Sequence, residues 1–143
     1  MPTIAPCLWF DGRASEAAEF YTSFFKDSKI LSTEYYTEAG KSAHGQEKGT
    51  VMMVTFELNG QSFSALNGGP LFKFNEAISF QIMCEDQAEI DYYWEKLAEG
   101  GDEKKQRCGW VCDKFGVRFV FPLPSFLQVS AGAKFWKYPE EGC

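Results

Sequence analysis

Histidine is nearly absent from this chain: one residue, His44, in 143. Ser-His-Asp or Cys-His nucleophilic catalysis needs a histidine held against its nucleophile. His44 instead stands in a polar, glycine-bearing stretch (38–49) that reads as a loop, where a lone histidine is ordinarily solvated. Basic clusters are scarce too. The one present, Lys104-Lys105-Gln106-Arg107, follows an acidic helical pattern, and the formal net charge is −6. A nucleic-acid surface wants clustered Lys and Arg, so no nucleic-acid partner is expected, and the cluster reads as a solvated turn and strand start. No apolar run approaches the roughly 20 residues that span a bilayer. With no signal-peptide pattern at the start either, the expected location is the cytoplasm, without a membrane partner.

The five cysteines are odd in number, which speaks against a disulfide framework. Cys108 and Cys112 form the one close pair, and a zinc site would need two further ligands. Buried or incidental thiols are the simpler reading. What the chain does have is bulk. Hydrophobic residues make up 45% and aromatics 17%, including 14 phenylalanines. That suffices to fill a core and to line a cavity.

The strongest break is Gly68-Gly69-Pro70, within Ala-Leu-Asn-Gly-Gly-Pro (65–70). On either side the order of elements repeats. Residues 3–10 read as a strand, with Pro6 suited to an edge or bulge. Ala14, Ala17, Ala18, Tyr21, Phe24 and Phe25 then recur at helical spacing. Strands follow over 29–37, 51–58 and 61–66, the last two joined by Asn59-Gly60, the preferred pair for a type I′ turn. After the break, 78–84 reads as a strand. Asp86 and Glu89 have capping-box spacing ahead of a stripe of Ile90, Tyr93, Trp94, Leu97 and Ala98. Short strands are expected around 103–113, then a turn at 113–116 and a last strand at 117–121. The chain beyond that lacks a clean period. The expectation is one domain made of two modules, about 3–70 and 76–125, with an irregular C-terminal tail.

Several runs carry a family likeness: Cys-Leu-Trp-Phe-Asp-Gly-Arg-Ala (7–14), Glu-Phe-Tyr (19–21), Ala-Leu-Asn-Gly-Gly-Pro (65–70), Phe-Lys-Phe-Asn-Glu-Ala-Ile-Ser-Phe-Gln (72–81), Tyr-Trp-Glu-Lys-Leu (93–97), Cys-Gly-Trp (108–110) and Asp-Lys-Phe-Gly-Val (113–117). Over residues 3 to about 121 the chain resembles the PhnB-like branch of the glyoxalase/bleomycin-resistance, or vicinal oxygen chelate, superfamily. Members often bear the label 3-demethylubiquinone-9 3-methyltransferase. The resemblance implies an α+β fold of paired βαβββ modules whose curved mixed sheets enclose a cavity, usually in a homodimer. The end departs from the pattern: Phe119-Val120-Phe121-Pro122 and a short tail replace a Trp-Gln-Ile-Val-Pro strand and a longer helical tail.

The superfamily's metal enzymes use four inward-facing His or Glu ligands. The resemblance places those slots at Pro6, Ala65, Ala77 and Val120, whose side chains offer no electron pair to a cation. No metal and no cofactor are therefore expected, with a weak Mg²⁺ site on Asp and Glu left open. Residues two apart share a strand face. If the slots look into the cavity, so do Leu8, Phe10, Phe63, Asn67, Ser79, Gln81, Met83 and Arg118. Trp9, Leu66, Phe80, Ile82, Phe119 and Phe121 then lie under the helices, and Cys7 and Cys84 are core thiols. The expected ligand-binding residues are Phe10, Phe63, Asn67, Ser79, Gln81, Trp110 and Arg118. Plain core packing competes for the apolar ones, and a surface ion pair competes for Arg118.

The leading reading is a small-molecule-binding protein without the usual metal ligands. The alternative is an enzyme, either a lyase or isomerase of the superfamily or the labelled methyltransferase. A nucleotide-type methyl donor would usually need a glycine-rich strand-to-helix turn on a parallel sheet. Gly68-Gly69-Pro70 opens no helix pattern.

Overall fold

The computed structural model of the protein describes residues 1–106 and 109–122. The expectations for Arg107, Cys108, Cys143 and the tail lie outside the described residues. The chain divides into two compact units, 1–73 and 74–143.

The first unit runs β1 (Cys7–Phe10), α1 (Ala14–Phe24), β2 (Lys29–Tyr35), a short α2 (Lys41–His44), β3 (Val51–Leu58) and β4 (Gln61–Asn67). Its sheet has the order β1-β4-β3-β2. The β1–β4 pair is parallel and the other two are antiparallel. Pro6 stands just ahead of the edge strand β1, where its missing N–H costs no ladder bond, and its carbonyl accepts from Ser64 N–H at 2.9 Å. Asn59 and Gly60 both take positive φ, 50° and 81°, as a type I′ turn requires. That turn pairs Leu58 with Gln61 and so sets Phe56 opposite Phe63. Helix α1 buries Ala14, Ala17, Ala18, Tyr21 and Phe24, the stripe expected from spacing. Each large aromatic so buried contributes roughly 1.5–3 kcal/mol.

The second unit is shorter: β5 (Phe80–Gln81), α3 (Gln87–Ala98), a 3₁₀ turn (Glu103–Lys105), β6 (Trp110–Cys112) and β7 (Arg118–Val120). Its sheet has the order β5-β7-β6, with β5–β7 parallel and β6–β7 antiparallel. In order and sense this repeats β1-β4-β3, and in both units a helix follows the first strand. Strand β5 is briefer than the hydrophobic run 78–84 suggested, although Ile82 N–H still reaches Val120 O at 2.9 Å. Asp86 caps α3, its carboxylate accepting Glu89 N–H at 2.8 Å. Ile90, Tyr93, Trp94 and Leu97 are the buried face. Asp113 is buried and accepts the N–H groups of Phe115 and Val117, both at 2.9 Å, which holds the turn into β7. The architecture is α+β with two open mixed sheets.

Candidate functional site

In the first unit α1 covers one face of the sheet, and no other described helix of that unit covers the opposite one. Tyr21 of α1 stacks on Phe56, with ring centroids 6.2 Å apart, and Phe56 stacks on Phe63 at 5.6 Å. Alternation then assigns Leu8, Phe10, Val54, Phe56, Leu58, Phe63, Ala65 and Asn67 to the helix-covered face. All are buried, Phe56 and Ala65 completely. The helix-free face carries Cys7, Trp9, Met53, Thr55, Ser64 and Leu66; Cys7 is exposed and the others are half-buried.

This exchanges the two faces expected from the resemblance. Phe10, Phe63 and Asn67, expected to line a cavity, pack under α1. Trp9 and Leu66, expected under the helix, stand on the helix-free face, and Cys7 is no core thiol. The physical reason is hydrophobic phase. Glu57, Thr55, Ser62 and Ser64 alternate with Leu58, Phe56, Val54, Phe63 and Ala65 across the hairpin. The apolar set must take the helix.

Asn67 has its hydrogen-bonding capacity committed to structure. Its Oδ1 accepts Ala14 N–H at 2.9 Å, capping α1 from another strand, and its Nδ2 donates to Val51 O at 3.1 Å. Its carbonyl accepts the Tyr36 hydroxyl at 2.6 Å. This explains why α1 starts at Ala14 with no side-chain cap from Arg13, whose guanidinium instead pairs with Glu16. Trp9 is held just as definitely. Its indole Nε1 donates to Gly69 O at 2.8 Å, and Phe72 meets it edge-on at 4.8 Å. His44, in α2, lies against Tyr36 at 4.6 Å between ring centroids. Its Nδ1 accepts Gln46 N–H at 2.9 Å and its Nε2 contacts Ala39 O at 3.1 Å, so both ring nitrogens serve the loop.

The second unit's sheet also has two distinct faces. Phe80 pairs with Phe119 and Val111 with Phe119. Val111, Phe119 and Phe121 are buried, and Trp94 of α3 meets Phe121 at 5.8 Å. The opposite face carries Gln81, Val120 and Trp110 in one row, with Arg118 and Cys112 paired in the next. Gln81 is exposed, Ser79 half-buried and Trp110 41% exposed. Arg118 is only 8% exposed, and its Nη2 donates to Glu76 Oε1 at 3.0 Å, a carboxylate that is itself 73% exposed. Its Nε is buried and has no partner among the described residues. Burial pushes the Cys84 thiol up to about 12, helped by the Glu89 and Asp86 carboxylates. The Cys112 thiol is also raised by burial, against a lowering by Arg118. Both are protonated and unreactive at neutral pH.

The positions that the resemblance offered as metal slots carry no donor side chain. Ala65 lies fully buried on the helix-covered face, while Ala77 and Val120 carry no donor atom. Among the described residues no three His, Cys, Asp or Glu side chains gather into a group that could hold an ion. No helix among them is long and apolar enough to cross a membrane.

A family model described as 3-demethylubiquinone-9 3-methyltransferase matches residues 2–121. Among solved structures, a PhnB protein from Bacillus cereus, whose name assigns it to that methyltransferase, is 36% identical, with a TM-score of 0.70 over 86% of this chain and 100% of its own. Protein PA1353 from Pseudomonas aeruginosa is 20% identical, with a TM-score of 0.67 over 85% of this chain and 96% of its own. The fosfomycin resistance protein FosX from Listeria monocytogenes is 16% identical, with a TM-score of 0.53 over 90% of this chain and 96% of its own. These last two likenesses concern the fold alone. No curated protein matches the chain.

Proposed function

The chain belongs to the 3-demethylubiquinone-9 3-methyltransferase family, within the glyoxalase/bleomycin-resistance superfamily, and from that membership we propose that it is a small-molecule-binding protein working without the superfamily's metal ion. The ligand lies against the helix-free sheet face of the second unit, on Trp110, Gln81 and Arg118. The observation that supports this reading is the character of that face. Trp110 stays partly open beside the exposed Gln81 amide and the Arg118 guanidinium, an aromatic surface with a few polar groups of the kind small-molecule sites use. Phe10, Phe63 and Asn67 are structural in this reading. The working form is a homodimer, as the superfamily resemblance suggests. The described cysteines Cys7, Cys84 and Cys112 are free, which suits a reducing compartment such as the cytoplasm.

The enzyme reading is favoured by the family's description and by nothing in the described site chemistry. Gly68-Gly69-Pro70 leads into an extended connection and not a helix, and both sheets are mixed. A thermal-shift series separates the two readings, because a ligand that binds the folded state raises the melting midpoint. Naphthalene, a neutral aromatic probe, is expected to stabilise the protein while S-adenosylmethionine leaves it unchanged. Stabilisation by S-adenosylmethionine, or stoichiometric nickel, zinc, manganese or iron in the purified protein, would replace this reading with the enzymatic one.

A further inference from the structure

The Arg118 guanidinium has an unusual balance on the helix-free face of the second sheet. The side chain is more than nine-tenths buried, yet one short contact holds it, from Nη2 to Glu76 Oε1. Its Nε is buried without a partner among the described residues. Nε and Nη2 form one edge of the planar fork, two parallel N–H groups spaced to take both oxygens of a carboxylate. Glu76 uses half of that edge, and it does so from a side chain that is itself largely solvated.

Two rows of the sheet meet here. Arg118 pairs with Cys112 and Val120 with Trp110, so Arg118 and Trp110 are diagonal neighbours on one face, a spacing of roughly 7–8 Å that long side chains bridge. Trp110 is 41% exposed and offers a flat surface for a ring. Gln81, exposed and level with Val120, adds an amide on the far side of that row.

We propose that Arg118 anchors the carboxylate of a ring-bearing ligand, closing its Nε–Nη2 edge on both oxygens while the ring lies on Trp110. This rests on the reading of the second unit's helix-free face as the ligand site, and it names the ligand class. A monoanionic carboxylate suits the place better than a phosphate, because Glu76 stands beside the fork and the chain as a whole carries −6. Glu76 acts as the stand-in that the incoming carboxylate displaces.

The full chain is titrated with benzoate, its neutral counterpart benzamide, and inorganic phosphate, followed by tryptophan fluorescence and melting midpoint. Benzoate is expected to bind roughly tenfold or more tighter than benzamide, the worth of a charge-assisted hydrogen bond, and phosphate far more weakly than benzoate. Arg118→Lys keeps a charge but has no Nε. It should cut the preference for benzoate several-fold, and a cooperative urea-unfolding transition shows that the variant is folded. Glu76→Gln should tighten benzoate binding by removing the competitor. Equal affinities for benzoate and benzamide, an unaltered preference in Arg118→Lys, or phosphate binding as well as benzoate would overturn the anchor. Where benzamide or naphthalene still binds, the small-molecule reading survives that outcome. If no aromatic probe binds at all, both readings fall together.

Discussion

The indole of Trp9 donates a hydrogen bond to the carbonyl of Gly69, sixty residues on in the sequence, and lies flat against the residue before it. A Cβ on Gly68 would stand 2.4 Å from the Trp9 ring. The glycine is therefore needed for close approach rather than for an unusual backbone angle. Gly68→Ala should cost about 2 kcal/mol, the usual range for forcing an extra group into a packed contact. Urea unfolding monitored by tryptophan fluorescence measures it. A neutral result would mean that Trp9 is free to move.

Asn67 and Ala14 supply a second test. Asn67→Ala removes the cap on α1 and leaves Val51 O and the Tyr36–Asn67 corner less well held. The loss should be about 2 kcal/mol, from a lost N-cap together with a buried group left without its partner. The check is again chemical denaturation. Because the residue acts in the framework, aromatic-probe affinity extrapolated to the folded fraction should stay unchanged. A weakened affinity with unchanged stability would restore Asn67 to the ligand site.

The two faces of the first sheet make opposite predictions. Phe63→Ala, in the stack with Phe56 and Tyr21, should lower stability by about 3–4 kcal/mol, as large-to-small changes in cores do. Leu66→Ala, on the helix-free face, should cost only about 1 kcal/mol because its side chain is half-buried. Denaturation midpoints of the pair of variants decide the assignment. A reversed order would return the faces to the arrangement inferred from the family's ligand slots.

Cysteine reactivity should follow burial. Among the described cysteines, the exposed Cys7 should be alkylated by iodoacetamide first, whereas Cys84 and Cys112 are buried and raised in pKa. Mass mapping after partial alkylation reads the order. The Cys84 shift also has a stability consequence. The folded state holds this proton up to about pH 12, but the unfolded chain releases it from about 9. The contribution is fully present below pH 9 and is lost as pH rises through the window to 12. The slope is at most about 1.4 kcal/mol per pH unit for one proton. Cys84→Ala should flatten the alkaline limb of the stability curve, measured by urea unfolding between pH 8 and roughly 10, the part of that window before other groups dominate.

Much of the framework was legible because local chemistry and tertiary structure agree. The stripe at Ala14, Ala17, Ala18, Tyr21 and Phe24 can form only one apolar face on a helix, and the Asp86 cap needs no distant partner. Asn59-Gly60 imposes its own turn, and with it the pairing of Phe56 with Phe63. The hairpin alternation even contained the correct face for Phe63 and Ala65. The slots carried over from the family ran against that alternation, and a one-residue displacement in a strand turns every side chain over. In the second unit the register sets Gln81 and Arg118 on the face opposite Phe119, while Ser79 stands just ahead of β5 and outside its ladder.

Sequence alone thus determined the elements whose causes are local: helix stripes, the capped start of α3, the type I′ turn, and the family pattern that brings the fold with it. Only the tertiary structure decided that Asn67 caps a helix 53 residues earlier, that Gly68 yields its space to Trp9, and that the buried Arg118 Nε has no partner among the described residues. Those facts depend on which strands become neighbours and on where a side chain finds its partner. Contacts of that kind are made across the sheet, between residues whose separation along the chain carries no record of their meeting.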